Sequence, residues 1–400
     1  MVGPKRVNFS AVLLVLCVMS TGCTSEDNDV HPNRMPVDAG ETLDSGLADA
    51  TLPTPMDATP TDVLQREIGD RGLPDWGVTM DERDGLPDAL RHRLDDELNF
   101  SHLQALGTHN SYHLEPEIQV PAWQYSHLPL DQQLGEQGVR QFELDVYYEP
   151  QERVFEVYHV YAIDQETTCD TLPTCLTTMK SWSDRHRAHH PLLILIEIKG
   201  PHSKDSHLNL LRDLESQILS IWPWDRLVHP DLLRGESDNL RDAIETNGWP
   251  KLSRLRGRSL FVLHTGGRLR ALYTRDQTTT AGRVLFPDAY GDIDLPIAAY
   301  HSINGPIGGF DRIQRTVQAG HLVRTRADSD GEQARALDYR QFEAALESGA
   351  HFISTDFPYP GDEMQYGVTI PGGQPSRCNP LTGPMGCQSR DIEDPTIVSP

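Results

Sequence analysis

Short apolar runs alternate with helical patterns from residue 98 onward. The runs predict strands at residues 102–107, 139–147, 153–159, 192–198, 258–264, 283–286 or 297–303, 321–326 and 351–356. Helical periodicity falls between them, at about 130–138, 175–189, 205–221, 238–247, 310–319 and 333–348. Strands that alternate with helices form parallel βαβ units, and about eight of them in about 300 residues fit an α/β fold of the (β/α)8 TIM-barrel type. An open doubly wound sheet is the alternative, but no Gly-x-Gly-x-x-Gly motif follows the first strand.

The first residues of the chain are typical of an export signal. Lys5 and Arg6 precede a short apolar stretch at residues 11–19, which is too short to span a bilayer as a helix. Residues 20–23, Ser-Thr-Gly-Cys, then resemble a lipoprotein processing site at which Cys23 would be lipidated. Simple cleavage of the signal is the alternative. We therefore predict export, followed either by lipid anchoring to the bacterial cell envelope or by secretion.

Acidic residues are concentrated between the signal and the first strand. The whole chain has a formal net charge of −24, and residues 24–97 hold 19 Asp or Glu against 6 Arg. This segment is poor in aromatic residues, which predicts a disordered linker. No basic stripe is available for nucleic acid, and no polybasic patch for anionic membranes. The predicted organisation is a signal peptide at 1–23, a linker at 24–97, a catalytic barrel at 98–388 and a C-terminal tail at 389–400.

Four of the six cysteines form two close pairs outside the signal region. These pairs are Cys169 with Cys175 and Cys378 with Cys387. In an exported protein, such pairs predict two disulfides that close short loops. A zinc site is the alternative, but neither pair has tight ligand spacing or a matching pair of histidines.

Polar residues lie at the ends of four successive predicted strands. In chain order they are His109 and Asn110, then Glu143 with Asp145, then His159, and finally Glu197 with Lys199. Side chains alternate along a strand, so Glu143 and Asp145 share one face. The active sites of parallel barrels lie at the carboxyl ends of the strands, where we expect these groups to meet. Acidic residues within apolar strands are costly unless they are paired or coordinated, which favours one shared site.

The amide and carboxyl groups of this set predict a metal site. Asn110, Glu143, Asp145 and Glu197 supply only oxygen ligands, which suit Ca²⁺ or Mg²⁺ better than zinc or copper. A divalent cation there would lower the pKa of an attacking hydroxyl and neutralise charge on a phosphoryl group. With two histidines nearby, the set indicates metal-assisted cleavage of a phosphodiester.

The order His-Asn, Glu-Leu-Asp, His and Glu-x-Lys resembles that of the calcium-dependent phosphatidylinositol-specific phospholipases C. The resemblance is to the bacterial branch and extends over about residues 99–388. It includes the segments 107–113 (GTHNSYH), 142–146 (FELDV), 247–252 (NGWPKL), 256–258 (RGR), 323–328 (VRTRAD), 348–350 (SGA), 354–356 (STD) and 377–380 (RCNP). It implies that Asn110, Glu143, Asp145 and Glu197 bind Ca²⁺, and that His109 and His159 are the catalytic pair.

The activity implied by this resemblance is cleavage of phosphatidylinositol at a membrane surface. Diacylglycerol and a cyclic inositol phosphate would form first, and hydrolysis of the cyclic product can follow. His109 would stabilise the phosphoryl oxygens, and His159 would protonate the leaving diacylglycerol oxygen. Either Glu143 or Glu197 would accept the proton of the inositol 2-hydroxyl, and the sequence leaves this choice open. A monomer is the default expectation.

Three cationic residues are predicted to contact the substrate. Lys199 shares a strand face with Glu197, and the alternative is an ion pair with a neighbouring glutamate. Arg324 and Arg326 share a face near a strand end, where they could bind phosphate or pair with Asp328 or Asp356. Histidines without informative spacing are interpreted as surface or structural residues; they are His113, His127, His189 and His190.

Two other functions remain open at the level of sequence. A glycerophosphodiester phosphodiesterase would share the barrel, the metal carboxylates and the histidine pair, although its familiar motif differs from residues 109–113. A non-catalytic surface lipoprotein could use such a barrel only for binding. Turnover of glycerophosphodiesters without phospholipid cleavage would favour the first, and no turnover of any diester the second.

Overall fold

The structure is a computed structural model that describes residues 90–200, 207–358, 365–372 and 375–398. The predicted signal peptide, Cys23 and the linker as far as residue 89 lie outside these described residues. None of the helices in the described ranges is long and apolar enough to cross a membrane.

Ten strands occur in the described residues, and eight of them are parallel. They are β1 (Leu103–Thr108), β2 (Gln141–Glu149), β3 (Val154–Val157), β4 (Leu192–Lys199), β5 (Ser259–Leu263), β6 (Phe286–Pro287), β7 (Tyr300–Ser302), β8 (Leu322–Arg326), β9 (Phe352–Thr355) and β10 (Ser376–Cys378). The parallel strands follow the order β6-β5-β4-β2-β1-β9-β8-β7. A parallel bridge between Asp288 and Tyr300 nearly closes this sheet. The prediction of a (β/α)8 barrel is therefore confirmed, in an irregular form.

Helices connect most of the parallel strands. They are α1 (Leu130–Gly135), α2 (Leu172–Arg185), α3 (His207–Ile221), α4 (Pro230–Arg234), α5 (Leu240–Asn247), α6 (Leu252–Leu255), α7 (Gly267–Tyr273), α8 (Phe310–Gln318), α9 (Glu332–Ala336), α10 (Arg340–Glu347), α11 (Ser389–Ile392) and α12 (Pro395–Val398). The helix predicted at 333–348 is divided between α9 and α10. Leu337 adopts a left-handed φ of 51° between them, a conformation that interrupts a right-handed helix.

The alternation of side chains along β4 explains how the core leads to the site. Leu193 and Leu195 belong to the apolar cluster inside the barrel. The residues that alternate with them, Leu192, Ile194 and Ile196, pack beneath the helices. Glu197 continues the interior row, so it lies at the carboxyl-end mouth of the barrel. The register between β2 and β4 then sets Asp145 beside Glu197.

Strand β3 is not part of the parallel barrel. It pairs antiparallel with β2, with Val157 opposite Val146, and four residues separate the two strands. A parallel connection needs about a dozen residues, so a gap this short allows only a hairpin. The expectation that His159 ends a third parallel strand is therefore wrong, because it follows a hairpin above the mouth. Both alternative segments, 283–286 and 297–303, contribute to strands, β6 and β7.

Both ends of the described chain pack against the amino-terminal face of the barrel. Asp95 accepts a hydrogen bond of 2.6 Å from Arg256, which precedes β5. At the other end, Glu393 is buried and forms an ion pair with Arg140, which precedes β2. Residues 90–97 and 389–398, which the sequence assigns to the linker and the tail, thus pack against the barrel. Their apolar side chains, Leu94 and Ile392 among them, join the core.

Both predicted disulfides are present. Cys169 is bonded to Cys175 at the start of α2, and Cys378 to Cys387 at the end of β10. Because β10 pairs antiparallel with β1, the second disulfide holds its loop at the amino-terminal face. The first lies in the segment that connects β3 to α2, next to the catalytic mouth.

Candidate active site

His109 follows β1 and is held by a carboxylate from the neighbouring strand. Its Nδ1 donates to Oδ1 of Asp356 at 2.7 Å, and Nη2 of Arg326 donates to Oδ2 of the same carboxylate at 3.0 Å. Burial and the positive charge of Arg326 lower the pKa of His109 well below its usual value. With Nδ1 occupied, Nε2 is the ring nitrogen that remains for a ligand at the mouth.

His159 is fixed in the same manner by a different carboxylate. Its Nδ1 donates to Oδ2 of Asp164 at 2.6 Å, and its backbone oxygen accepts a hydrogen bond of 2.8 Å from Tyr147. Nε2 of His113 lies 3.0 Å from the same Asp164 oxygen. Burial raises the pKa of Asp164, but the hydrogen bonds from the two histidines lower it below its usual value. His113 is fully buried within this cluster, so of the two interpretations, surface or structural, the structural one applies to it.

Glu143 lies at the mouth between two positively charged groups. Nη2 of Arg324 donates to its Oε2, and Nε2 of His264 lies 3.8 Å from its Oε1. Burial opposes ionisation of Glu143, but Arg324 and the neighbouring histidines outweigh it and lower the pKa to about 2. Arg324 also donates to Oδ1 of Asn304 at 2.5 Å. Glu143 is therefore held as a carboxylate.

Asp145 is fully buried beside the hydroxyl of Tyr112, and neither of its oxygens has good hydrogen-bonding geometry with a described residue. Nζ of Lys199 lies 3.4 Å away, but its closer partner is Glu197, at 2.7 Å. Burial raises the pKa of Asp145 well above its usual value. Burial also opposes the charge on Lys199, but Asp145 and Glu197 together raise the pKa of its ammonium group.

A buried carboxylate without well-formed hydrogen bonds fits a cation, because burying such a group is costly unless it is compensated. Single ligand atoms of Glu143, Glu197 and His264 lie within 4.8 Å of one another, although Asp145 is not part of this compact group. Asn110 is buried with a left-handed φ of 42°, and its side-chain amide donates to the Tyr125 hydroxyl at 3.4 Å. The residues present therefore fit a divalent metal ion that is bound chiefly by oxygen.

His264 also belongs to this group of candidate metal ligands, and the sequence did not indicate it. It follows β5, and its Nδ1 donates to Oδ2 of Asp288 at 2.7 Å. Burial opposes its charged form, but Asp288 and Glu143 raise the pKa to about 9. As an imidazolium it balances the carboxylates; after loss of its proton it would offer a nitrogen ligand.

The three predicted substrate cations all form internal ion pairs. Lys199 pairs with Glu197 and Asp145, Arg324 with Glu143, and Arg326 with Asp356. Lys199 and Arg326 thus form the kind of ion pair that was the alternative to substrate contact. The partner of Arg324 is neither of the expected aspartates but Glu143, from across the barrel. Substrate contact by these residues stays a prediction.

The carboxylates that orient the two histidines were also missed. Asp356 lies in the Ser-Thr-Asp segment directly after β9, and its position at a strand end was the available signal. The partnership with His109 depends on β1 pairing with β9, which only barrel closure reveals. Asp164 lies in a loop five residues after His159, with no periodicity to mark it.

A barrel with this mouth defines the protein as an enzyme that hydrolyses phosphoric diesters. More particularly, the chain belongs to the Ca²⁺-dependent phosphoinositide phospholipase C family, because a profile of that family matches residues 98–155 and 149–380. These matched ranges contain every predicted metal ligand and both predicted catalytic histidines. No curated protein sequence gives a significant match to the chain.

Solved structures agree with this assignment at the level of the fold. The chain is similar to a calcium-dependent phosphoinositol-specific phospholipase C from the Gram-negative bacterium Pseudomonas sp., with 18% identity and a TM-score of 0.53 over 72% of this chain and 98% of that one. A myoinositol complex of that enzyme gives the same identity and TM-score over 73% and 99%. A Ca²⁺-dependent phosphatidylinositol-specific phospholipase C from Streptomyces antibioticus matches with 18% identity and a TM-score of 0.48 over 65% and 95%.

Proposed function

We propose that this protein is an exported phosphodiesterase that cleaves phosphatidylinositol with the assistance of Ca²⁺. Its products would be diacylglycerol and an inositol phosphate, of which the cyclic form arises first. The observation that carries the proposal is the pair of histidines, each held at Nδ1 by its own carboxylate, next to a buried carboxylate cluster. Such a pair can provide a general acid for the leaving oxygen and a hydrogen-bond donor for a phosphoryl oxygen at one mouth.

In this reaction the inositol 2-oxygen forms a bond to phosphorus while the bond from phosphorus to the diacylglycerol oxygen breaks. The proton of the 2-hydroxyl passes to a carboxylate of the cluster, either Glu143 or Glu197. His159 gives the proton on its Nε2 to the diacylglycerol oxygen, while Nδ1 keeps its hydrogen bond to Asp164. Diacylglycerol then leaves as a neutral alcohol, and His159 is left as neutral imidazole.

His109 would donate a hydrogen bond from Nε2 to a phosphoryl oxygen. Burial and Arg326 lower the pKa of His109 when no anion is bound, so the ring gains its second proton together with the negatively charged substrate. Asp356 then balances the imidazolium at Nδ1. Stabilisation of charge that increases in the transition state is the contribution expected of this residue.

Glu143, Asp145, Glu197 and Asn110 would hold Ca²⁺. When bound, this ion supplies Lewis-acid stabilisation of negative charge on the hydroxyl and phosphoryl oxygens. The observation that supports it is the Asp145 carboxylate, which is buried without a well-formed hydrogen bond. His264 would adjust the charge of the cluster by keeping or releasing its proton.

Export, a membrane-surface substrate and anchoring through Cys23 are further parts of this proposal. Two disulfides within the described domain agree with an oxidising compartment. The signal at residues 1–23 supports passage across the inner membrane. A monomer requires no additional interface to complete the site, since all the groups named above come from one chain.

Phosphorus NMR of phosphatidylinositol vesicles would test the proposal directly. The full chain, with its disulfides formed, is incubated with vesicles in Ca²⁺ or in EGTA. A cyclic inositol phosphate signal that requires Ca²⁺ is the expected result. Turnover of glycerophosphoinositol alone would instead indicate a glycerophosphodiester phosphodiesterase, and no turnover of either would indicate a binding protein. Activity that persists in EGTA would reject the role of the metal.

A further inference from the structure

His113 is a buried histidine whose two ring nitrogens both face hydrogen-bond acceptors. Nδ1 lies 3.1 Å from the backbone oxygen of Tyr125, and Nε2 lies 3.0 Å from Oδ2 of Asp164. Both partner oxygens are acceptors when Asp164 is ionised, so a ring N–H directed at either oxygen is the donor in that contact. The ring also stacks at a tilt on Tyr125, with 4.4 Å between ring centroids. Its position is thus fixed from three sides.

One oxygen of Asp164 connects this ring to the proposed general acid. Oδ2 accepts hydrogen bonds from His113 at 3.0 Å and from His159 at 2.6 Å, whereas Oδ1 has no partner among the described residues. The two histidine rings meet edge to face, 5.8 Å apart. Because His159 is the only other partner of this carboxylate side chain among the described residues, the orientation of the carboxylate depends on His113.

The backbone around this pair is held by hydrogen bonds between two neighbouring segments. The segments 112–114 and 164–168 lie side by side, with hydrogen bonds from Thr168 N to Tyr112 O at 2.8 Å and from Leu114 N to Glu166 O at 3.3 Å. An antiparallel bridge between His113 and Thr167 lies between these bonds. The Cys169–Cys175 disulfide follows directly. His113 and Asp164 therefore form a fixed support, whereas the ring of His159 is about one-fifth exposed at the mouth.

We propose that His113 is a positioning residue for the proton transfer to the leaving group. Through Asp164 it fixes the rotamer of His159 and keeps a proton on Nδ1, so that Nε2 presents the proton to be transferred. This inference rests on the proposed function, in which His159 is the general acid. His113 itself touches neither substrate nor reacting atoms. The competing interpretation is that His113 only contributes to the stability of the loop.

The test replaces His113 with phenylalanine, which keeps a ring of similar volume and removes both N–H donors. We expect kcat for phosphatidylinositol to fall about 10- to 100-fold, a loss typical of residues that orient a functional histidine, with KM nearly unchanged. An inositol phosphodiester with a nitrophenol leaving group needs little protonation and should lose far less. His113→Gln retains a donor towards Asp164 and should recover most of the lost activity.

A double-mutant cycle with Asp164→Asn tests whether His113 acts through this carboxylate. If it does, His113→Phe adds little to the loss already caused by Asp164→Asn, because residues in one network are not additive. Losses that multiply would overturn the inference. Equal losses on both substrates, or a loss confined to KM, would also overturn it.

His351→Gln is the matched control for the removal of a buried histidine. His351 accepts a hydrogen bond from Val323 N and donates to Ser101 O, at the amino-terminal face of the barrel. Its loss should lower stability without changing the ratio of kcat between the two substrates. If His113→Phe does not fold, His113→Leu, which also lacks a donor towards Asp164, gives the same ratio test. A folded wild-type protein that cleaves neither substrate would instead reject the proposed function, and the inference with it.

Discussion

Arg324 donates a hydrogen bond to the buried carboxylate of Glu143, 181 positions away in the chain. On the other side of the site, Lys199 contacts Glu197 and Asp145. Protein cations thus occupy the same carboxylates that are predicted to bind Ca²⁺. Since one carboxylate cannot serve both partners fully, metal binding and these ion pairs are expected to compete.

Replacing Arg324 with glutamine should make the stability of the fold more dependent on Ca²⁺. Without Arg324, Glu143 is left buried with only His264, 3.8 Å away, to balance its charge, and breaking a buried pair costs about 3–5 kcal/mol. Ca²⁺ should restore more of the free energy of unfolding in the variant than it adds to the wild type. Urea unfolding in EGTA and in Ca²⁺ measures both quantities.

Arg153→Gln is the control for this change. Arg153 pairs with Asp213 but is 61% exposed, so its loss should be small and the Ca²⁺ increment should match that of the wild type. An equal Ca²⁺ increment in Arg324→Gln would show that Arg324 and the metal do not share Glu143.

Replacing Asp145 with asparagine should stabilise the protein in EGTA while it weakens Ca²⁺ binding. The carboxylate is buried without a well-formed hydrogen bond, and Lys199 keeps its closer partner Glu197 when Asp145 is replaced, so a neutral amide should raise the free energy of unfolding by on the order of 1 kcal/mol. Loss of one ligand charge lowers affinity for the ion. Denaturant titration in EGTA and calorimetric Ca²⁺ titration separate the two effects.

Asp213→Asn is the control for Asp145→Asn. Asp213 accepts hydrogen bonds from Tyr148 and Arg153, so Asp213→Asn should destabilise the protein and leave Ca²⁺ binding unchanged. If Asp145→Asn also destabilises the protein in EGTA, the carboxylate is better compensated than its surroundings indicate.

His159→Ala and Asp356→Asn should differ in their dependence on the leaving group. Loss of a general acid costs about 10²–10⁴-fold on natural lipid and much less when the leaving group is a good one. Asp356 supports His109, whose proposed partner is a phosphoryl oxygen, so Asp356→Asn should lose about 10²-fold on either substrate. Steady-state kinetics with phosphatidylinositol and with an inositol phosphodiester that has a nitrophenol leaving group measure the loss of activity of each variant on each substrate. The reverse pattern would exchange the roles of the two histidines.

Buried neutral histidines should make the fold sensitive to acid. Burial lowers the pKa of His351 from 6.5 to about 3. Between these values the unfolded chain binds a proton that the folded chain does not, so stability is lost as pH falls below 6.5. His351→Gln should therefore reduce the decrease in free energy of unfolding between pH 7.5 and pH 5 by about 2 kcal/mol. Denaturant unfolding at the two pH values measures this; an unchanged decrease would mean that His351 is protonated in the fold.

The sequence predicted the strands well because their apolar runs are buried on both faces. The residues from Leu192 to Ile196 are all fully buried, and such a continuous run is hard to mistake. The hairpin formed by β3 was misassigned because its residues alternate like those of any strand. Only the four-residue connection to β2 distinguishes it. Leu337 ends a helix early although its residue type favours helix, because tertiary context overrides propensity.

The predicted site residues lie at the mouth because alternation and strand order set their direction. What the sequence could not provide was the partner of each one. The contact between His109 and Asp356 needs β1 and β9 to be neighbours, and the contact between Glu143 and Arg324 needs the barrel to close. Long-range pairing of this kind leaves no periodic signal in a single sequence.

The chain enters the barrel at the face opposite the catalytic mouth. Residues 90–98 lie against the segments that precede β5, whereas His109 and Asp356 follow the ends of β1 and β9. A support or label joined to a residue of the 90–98 segment is therefore attached on the far side of the barrel from the substrate. Immobilisation through this segment should leave the mouth directed at vesicles in solution, which makes it the attachment point to choose for a surface-bound assay.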